Sequence, residues 1–467
     1  MPEQSPKPRW SARRKAWTLF VLGNVVCVGY GLWMAFAPPP GMPISVETTR
    51  FLGPLDEESG LDTRGAIRKA KGWPVEKTPH EWDRLLDSES DHPVKYQDPY
   101  TIPQQGQDER HTRRRQRLGR PFNENDDPEY SELITANEPW YRAILDSEPK
   151  PDSFFWADLP SFPSDQFRLR AMLAFGRGDT ERGVESLRFL ARLAENQRRW
   201  TTGFGILNSV RFDRECWQAI PAILFSLEEP PRELCEFAFE FSKPTPLPQA
   251  AARVIDEGDR YFELVILSTP TLYTGAVNQN SSFSMNKPPT LSSEGIRLNW
   301  FMHRVDWYRF ASVYHEFVDG FVQRIGIDND ARRTKAIADY RAEYQQRFAT
   351  PPDLRNWQAV ILGDVTRVVE RKMVDSFYRI EDTINWDRRG RRQVGLAVYL
   401  ARFRLEHRHF PKSLKELEPL TPKEHRFFLF HNVTGELWHY ECLDEGTGFV
   451  LKEPNQRWVE MQWLPDN

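Results

Sequence analysis

Residues 166–194 read QFRLRAMLAFGRGDTERGVESLRFLARLA. The first half, Gln166 to Phe175, carries a helical pattern and runs into Gly176-Arg177-Gly178-Asp179. Glycine tolerates the backbone needed to leave a helix, and Asp179 or Thr180 supplies an N-cap oxygen for the next one. Val184, Leu187, Ala191 and Ala194 then recur at steps of three and four, which puts one apolar stripe on a second helix. The stretch predicts an αα-hairpin, and with it a mainly helical body.

Outward from the hairpin the same reading continues. Helices are expected at Phe212 to Leu227, Arg232 to Glu240 and Leu247 to Glu257, punctuated by Pro230-Pro231, Pro244, Pro246 and Pro248. Tyr261 to Leu267 is a short apolar run, and 269–293 is polar and loop-like. Helices resume at Trp300 to Phe321 and Ala331 to Phe348. From Asp364, the positions Val365, Val369, Met373, Phe377, Ile380 and Ile384 share a helical face. Gln393 to His407 is apolar nearly all round, so that helix is expected to be buried on several sides.

Residues 17–37, WTLFVLGNVVCVGYGLWMAFA, contain no charge. A helix of about 20 residues crosses the hydrocarbon core of a bilayer. Arg9, Arg13, Arg14 and Lys15 precede it, while Pro38-Pro39-Pro40 follow it. The positive-inside rule therefore places residues 1–16 in the cytoplasm and the bulk of the chain outside. Ala35-Phe36-Ala37 resembles a signal-peptidase site, but the apolar stretch is longer than a usual signal core and Pro38 would follow the cut. The reading is an uncleaved anchor in the cytoplasmic membrane, with the bilayer as one partner.

Residues 38–150 are dense in proline and interleaved charge, which predicts a largely disordered linker. Short helices are allowed at Glu81 to Leu86 and Glu138 to Leu145, and Trp73, Trp82, Trp140 and Tyr141 are available to dock. Arg110, Arg113, Arg114, Arg115, Arg117 and Arg120 form a basic run, answered by Glu124, Asp126, Asp127 and Glu129. It reads as a solvated stretch, with anionic lipid or an acidic wall polymer as the functional alternative.

Composition bounds the rest. The chain has 467 residues, 39% apolar and 28% charged, with net charge -4, so nucleic acid is not expected as a partner. Its mean hydropathy of -0.64 requires much of it to be strongly polar. Of four cysteines, Cys27 sits in the apolar stretch, leaving Cys216, Cys235 and Cys442, which is no disulfide framework. Cys216 and Cys235 are within range of a bridge only if their helices pack antiparallel; buried apolar thiols are the simpler reading.

Residues 391–420 read RRQVGLAVYLARFRLEHRHFPKSLKELEPL. A helix carrying Tyr399 meets an aromatic-proline turn, Phe410-Pro411, and Ser413 is placed to cap Leu414 to Leu417. Strand-like runs follow at Phe427 to Phe430, Glu436 to Cys442 and Gly448 to Lys452. This order resembles the C-terminal part of the major pseudopilins of type II secretion, where Y-x-x-x-x-G-x-Y-P-x-S-L-x-x-L precedes a small antiparallel sheet. It resembles more closely a group of uncharacterised single-anchor bacterial envelope proteins that join an extracytoplasmic helical body to such a tail. The match spans about 391 to 451. Arg408-His409 replaces the glycine of the phrase, and His431-Asn432-Val433-Thr434-Gly435 lacks the aspartate and proline of the family turn. The family's acidic calcium-binding loop has no counterpart, so no calcium site is expected. The anchor also lacks the prepilin processing pattern. The 166–194 hairpin is in turn similar to a tetratricopeptide unit, but no second copy stands at a 34-residue period and a solenoid needs about three.

Chemistry-bearing motifs give no positive reading. His315-Glu316-Phe317-Val318-Asp319 lacks the second histidine of HExxH, and Gly203-Phe204-Gly205 lacks the third glycine of a dinucleotide loop. His407, His409, His425, His431 and His439, with Cys442, form a loose set read as surface histidines, with soft-metal binding the alternative. Glu381 and Asp382 are adjacent on a helix and do not face each other. Sixteen tryptophans include candidates for sugar stacking, although packing is their usual role. No catalytic, cofactor or metal residue is assigned.

The expected architecture is mainly α: tail 1–16, transmembrane helix 17–37, linker 38–150, extracytoplasmic multi-helix domain 151–390, and α/β segment 391–467. The expected function is a non-catalytic, membrane-tethered interaction or scaffold protein of the cell envelope. An extracytoplasmic hydrolase of wall polymer or peptide is the alternative.

Overall fold

The structure is a computed structural model that describes residues 85, 128–147, 164–198, 203–256, 307–347, 365–443, 446–452 and 459–463. The stretches 1–16, 17–37 and 38–84, the basic run 110–120, the run 261–267 and the loop 269–293 lie outside these. Among the described residues no helix is long and apolar enough to cross a membrane. They are mainly helical, with one small antiparallel sheet.

The helices are α1 Pro128–Ala136, α2 Glu138–Asp146, α3 Ser164–Gly176, α4 Thr180–Arg198, α5 Gly203–Ser226, α6 Arg232–Ser242, α7 Leu247–Val254, α8 Trp307–Ile325, α9 Asp330–Arg347 and α10 Val365–His407. The strands are β1 His439–Leu443, β2 Gly448–Lys452 and β3 Val459–Trp463. The chain divides into two compact units. One takes residues 1–54, 260–317 and 343–375; the other takes 55–259, 318–342 and 376–467. In the first, the rings of Phe317 and Tyr344 meet edge to face at 5.1 Å.

In the second unit the α3–α4 hairpin forms as its sequence predicts. Gly178 has φ +76°, and Asp179 Oδ1 accepts the Arg182 amide at 3.1 Å, so Asp179 is the cap. Val184, Leu187 and Ala194 are buried, and Ala191 packs on the same core. Gly183 allows close approach of the two helices: a Cβ there would lie 2.5 Å from the Phe175 ring.

The packed body begins upstream of residue 151, the boundary that proline density suggests. Trp140, Tyr141 and Ile144 of α2 are fully buried, and Trp140 Nε1 donates to the Leu85 carbonyl at 3.0 Å. Arg170 of α3 holds α2 in place through both oxygens of Glu138, at 2.7 and 3.0 Å. The side-chain apolarity of α2 outweighs the prolines around it.

Helix α10 runs 43 residues without a break. Phe377, Ile380 and Ile384 are buried, as are Val394, Leu396, Ala397, Val398, Tyr399 and Leu400, which cover its whole circumference. Helix α5 starts further upstream than expected and places Gly203-Phe204-Gly205 in its first turn.

The tail departs from its sequence reading in two places. Phe427 to Phe430 is not a strand: Lys423–Leu429 is a 3-10 helix, and Phe430 makes only an isolated bridge to Leu437. Packing explains this, because the turn drives Phe428 onto Gly395 of α10 and the Trp438 indole N–H onto the Phe428 carbonyl at 3.0 Å. Ser413 is extended and makes no capping bond to the 3-10 turn Leu414–Leu417. The three strands pair in order β1-β2-β3, with Cys442 opposite Phe449 and a register shift at Leu451/Lys452. Phe449 and Leu451 enter the core, where Phe225 of α5 and Phe410 meet Phe449 at 5.3 and 5.0 Å.

Candidate functional site

The residues singled out by sequence are scattered. His407 and His409 are exposed, His425 bonds Tyr399, and His431 is buried edge-on against Trp438. His439 is exposed on β1, and its three-residue offset turns it to the opposite face from Cys442. Among the described residues no three His, Cys, Asp or Glu side chains are placed to hold a metal ion. Glu381 is buried and accepts the Thr334 hydroxyl at 2.7 Å, whereas Asp382 is exposed, so the adjacent acids part company. Half-buried His315 and exposed Glu316 are neighbours on α8 and share no face. Cys216, Cys235 and Cys442 are free thiols; Cys216 Sγ lies 3.5 Å from the Leu187 carbonyl, and burial pushes its thiol well above the usual range.

What the structure does assemble is a buried charged cluster on α10 that motif reading does not find. Its first part joins α4, α5 and α10. Asp213 and Asp387 are both fully buried. Asp213 Oδ2 accepts Arg198 and, at 2.7 Å, Arg391 Nη2. Arg391 Nε reaches Asp387 at 3.1 and 3.3 Å, and its Nη1 donates to the Phe241 carbonyl at the end of α6. The Thr245 hydroxyl lies 3.5 Å from Asp387 Oδ2.

Burial pushes the Asp213 carboxyl upward, but the Arg198 and Arg391 guanidiniums outweigh it and hold it below the usual carboxylate range. Burial also raises Asp387, to about 6, because Arg391 is shared with Asp213 and the neighbouring carboxylate repels a second charge. Arg391 is held above its ordinary value: burial opposes its charge, and the two aspartates overcome it.

The second part binds α9 to α10. Asp330 Oδ1 accepts Arg333 at 2.6 Å and Arg388 at 3.0 Å. Arg333 also reaches Asn385 at 2.6 Å, and Arg388 reaches Asp328 at 2.6 Å. Between the parts, Ser242, Pro244, Asp330, Arg388, Arg391, Arg392 and Phe427 line a cavity of about 20 Å³. That is the space of a single water. Asp387 and Arg391 stand one helical turn apart, and that i, i+4 pair of opposite charge is the local trace of the cluster in the sequence.

On the outer side of the same helix, Trp386 is 57% exposed, between exposed Asp382 and half-buried Arg389. Tryptophan is the bulkiest apolar side chain, and one left on a well-packed helix is the kind of residue that anchors interfaces.

No family model, no curated protein and no solved structure matches this chain.

Proposed function

We propose that this chain is a non-catalytic interaction or scaffold protein of the cell envelope, tethered to the bilayer through residues 17–37 with its helical body outside. The observation that carries this reading is the division of labour on α10. Its ionisable side chains Asp387, Arg388 and Arg391 are turned inward and bind helices to one another, while Trp386 is presented to solvent. A rigid helix with an exposed tryptophan suits recognition of a protein partner. The wall-polymer hydrolase reading needs carboxyls open to a substrate, and Asp213 and Asp387 are sealed between helices.

The test is affinity capture of the full-length chain from detergent-solubilised membranes, wild type beside Trp386→Ala. The reading expects a stable partner with the wild type and its loss with the variant. Absence of any stable partner from the wild type overturns it. N-terminal sequencing tests the tether: a mature chain beginning at Pro38 rules out an uncleaved anchor.

A further inference from the structure

We propose that His407 and His409, at the C-terminal end of α10, form a two-imidazole binding site for a divalent transition-metal ion of the zinc or copper kind, with water completing its coordination.

The argument starts from where the two rings stand. Residues two apart on a helix do not face each other. The His407 and His409 rings are nevertheless neighbours, 6.1 Å apart, and both lie against Phe403, at 4.2 and 5.8 Å. The residue between them explains this. Arg408 has φ +65°, so the chain leaves the helical path between the two histidines. Left-handed backbone is costly for a residue other than glycine, and strain of this kind gathers at functional sites. The β1–β2 turn seats His409 from the other side. The Phe410 amide donates to the Gly446 carbonyl at 2.8 Å, and a Cβ on Gly446 would lie 2.8 Å from the His409 Cβ.

The hydrogen bonding of His409 says which nitrogen is available. Its Nδ1 lies 2.8 Å from the Phe410 carbonyl oxygen. A carbonyl only accepts, so Nδ1 carries the hydrogen and Nε2 keeps its lone pair. Metal-binding histidines are usually oriented this way, with one ring nitrogen donating to a carbonyl and the other facing the ion. Both histidines are exposed, so a hydrated ion reaches them without disturbing the core. An imidazole nitrogen sits about 2.0–2.1 Å from zinc with its ring centre about 1 Å further back, so two rings sharing one ion stand roughly 5–6 Å apart. A small side-chain rotation closes the observed 6.1 Å to that separation.

The charges alongside are mixed. Exposed Arg408 opposes a bound cation, though solvent screens it, and exposed Glu406 is held by Arg402 at 2.9 Å. Attraction must therefore come from coordination by neutral imidazole, which suits zinc, copper and nickel. Calcium and magnesium want oxygen ligands and gain little here.

The experiment uses the full-length chain in detergent, without a histidine tag, titrated with zinc sulfate by calorimetry. Wild type is compared with His407→Ala, His409→Ala, the double variant and His439→Ala. Wild type should bind one zinc ion at a saturable site. Each single variant should bind as weakly as the double variant, because one imidazole cannot chelate. His439→Ala, on exposed β1, should bind as wild type does. Zinc should raise the unfolding midpoint of wild type and leave that of His407→Ala unchanged, a measurement that also shows the variant to be folded. Copper(II) in the wild type should give a paramagnetic resonance spectrum split by two nitrogens. The absence of a saturable zinc site in the wild type overturns the proposal, as does a site that survives in either single variant. Loss of the site in His439→Ala overturns it too, by showing adventitious binding spread over surface histidines.

Discussion

The Tyr399 hydroxyl, on α10, lies 2.6 Å from Nδ1 of His425 in the 3-10 helix Lys423–Leu429. Phe239 of α6 stacks on the same imidazole at 5.6 Å and meets the Tyr399 ring edge-on at 5.4 Å. The tail is thus tied to the helical body by a hydrogen bond inside an aromatic sandwich, beside the Arg392 bonds to the Phe427 and Phe430 carbonyls and the Asn432 bond to the Asn385 carbonyl. Tyr399→Phe keeps the ring and removes the bond. It should cost about 1 kcal/mol in urea unfolding, and amide exchange should quicken over 423–429. A variant as stable as wild type would show that this hydrogen bond adds nothing to the ring packing around it.

Gly395 inverts an ordinary rule. Alanine in place of a mid-helix glycine usually stabilises by about 1 kcal/mol. At 395 a Cβ would sit 2.5 Å from the Phe428 ring, which is itself packed and cannot swing aside. Gly395→Ala should therefore destabilise, by about 1–3 kcal/mol. Adding Phe428→Leu should recover part of that loss, measured as a positive coupling in a double-mutant cycle.

Arg408 ends α10 with φ +65°, donating its amide to the Arg404 carbonyl at 2.7 Å. Left-handed backbone costs a non-glycine residue about 1–2 kcal/mol. Arg408→Gly should stabilise the protein by about 1 kcal/mol, less the extra freedom glycine has when unfolded. A drop in midpoint on that substitution would mean the arginine side chain contributes more than its backbone costs.

His431 supplies a pH dependence. Burial, with the charges of Arg389 and Arg392, pushes its imidazole from 6.5 down to about 4. Between those values the unfolded chain binds a proton and the folded one does not. Stability from this residue is therefore present above about pH 6.5 and lost as pH falls toward 4. Because Nδ1 accepts the Thr434 amide at 3.2 Å, a neutral ring is built into the turn. His431→Gln should flatten the acid limb of the unfolding profile. An unchanged acid limb would assign it to other groups.

Legibility followed the range of the interactions. The α3–α4 turn was readable because its determinants, Gly178 and Asp179, act within four residues of themselves. The wrap of α10 was readable because apolar side chains filled every face of one short run. The strand assignment at 427–430 failed because Phe428 is placed by Gly395, not by its neighbours in sequence. Trp386 offered no local sign of its exposure, and a tryptophan in a helical run reads as core.

The sequence by itself determined a helical body, the hairpin with its cap narrowed to Asp179 or Thr180, and the two strands β1 and β2. These follow from periodicity and turn chemistry, which neighbouring residues set among themselves. Only the tertiary structure decided that Asp213, Asp387, Arg198 and Arg391 meet in one dry cluster. With 63 basic and 67 acidic side chains, the sequence permits thousands of pairings. Burial selects among them, because removing a charge from water is tolerable only where a partner from another helix arrives at the same point.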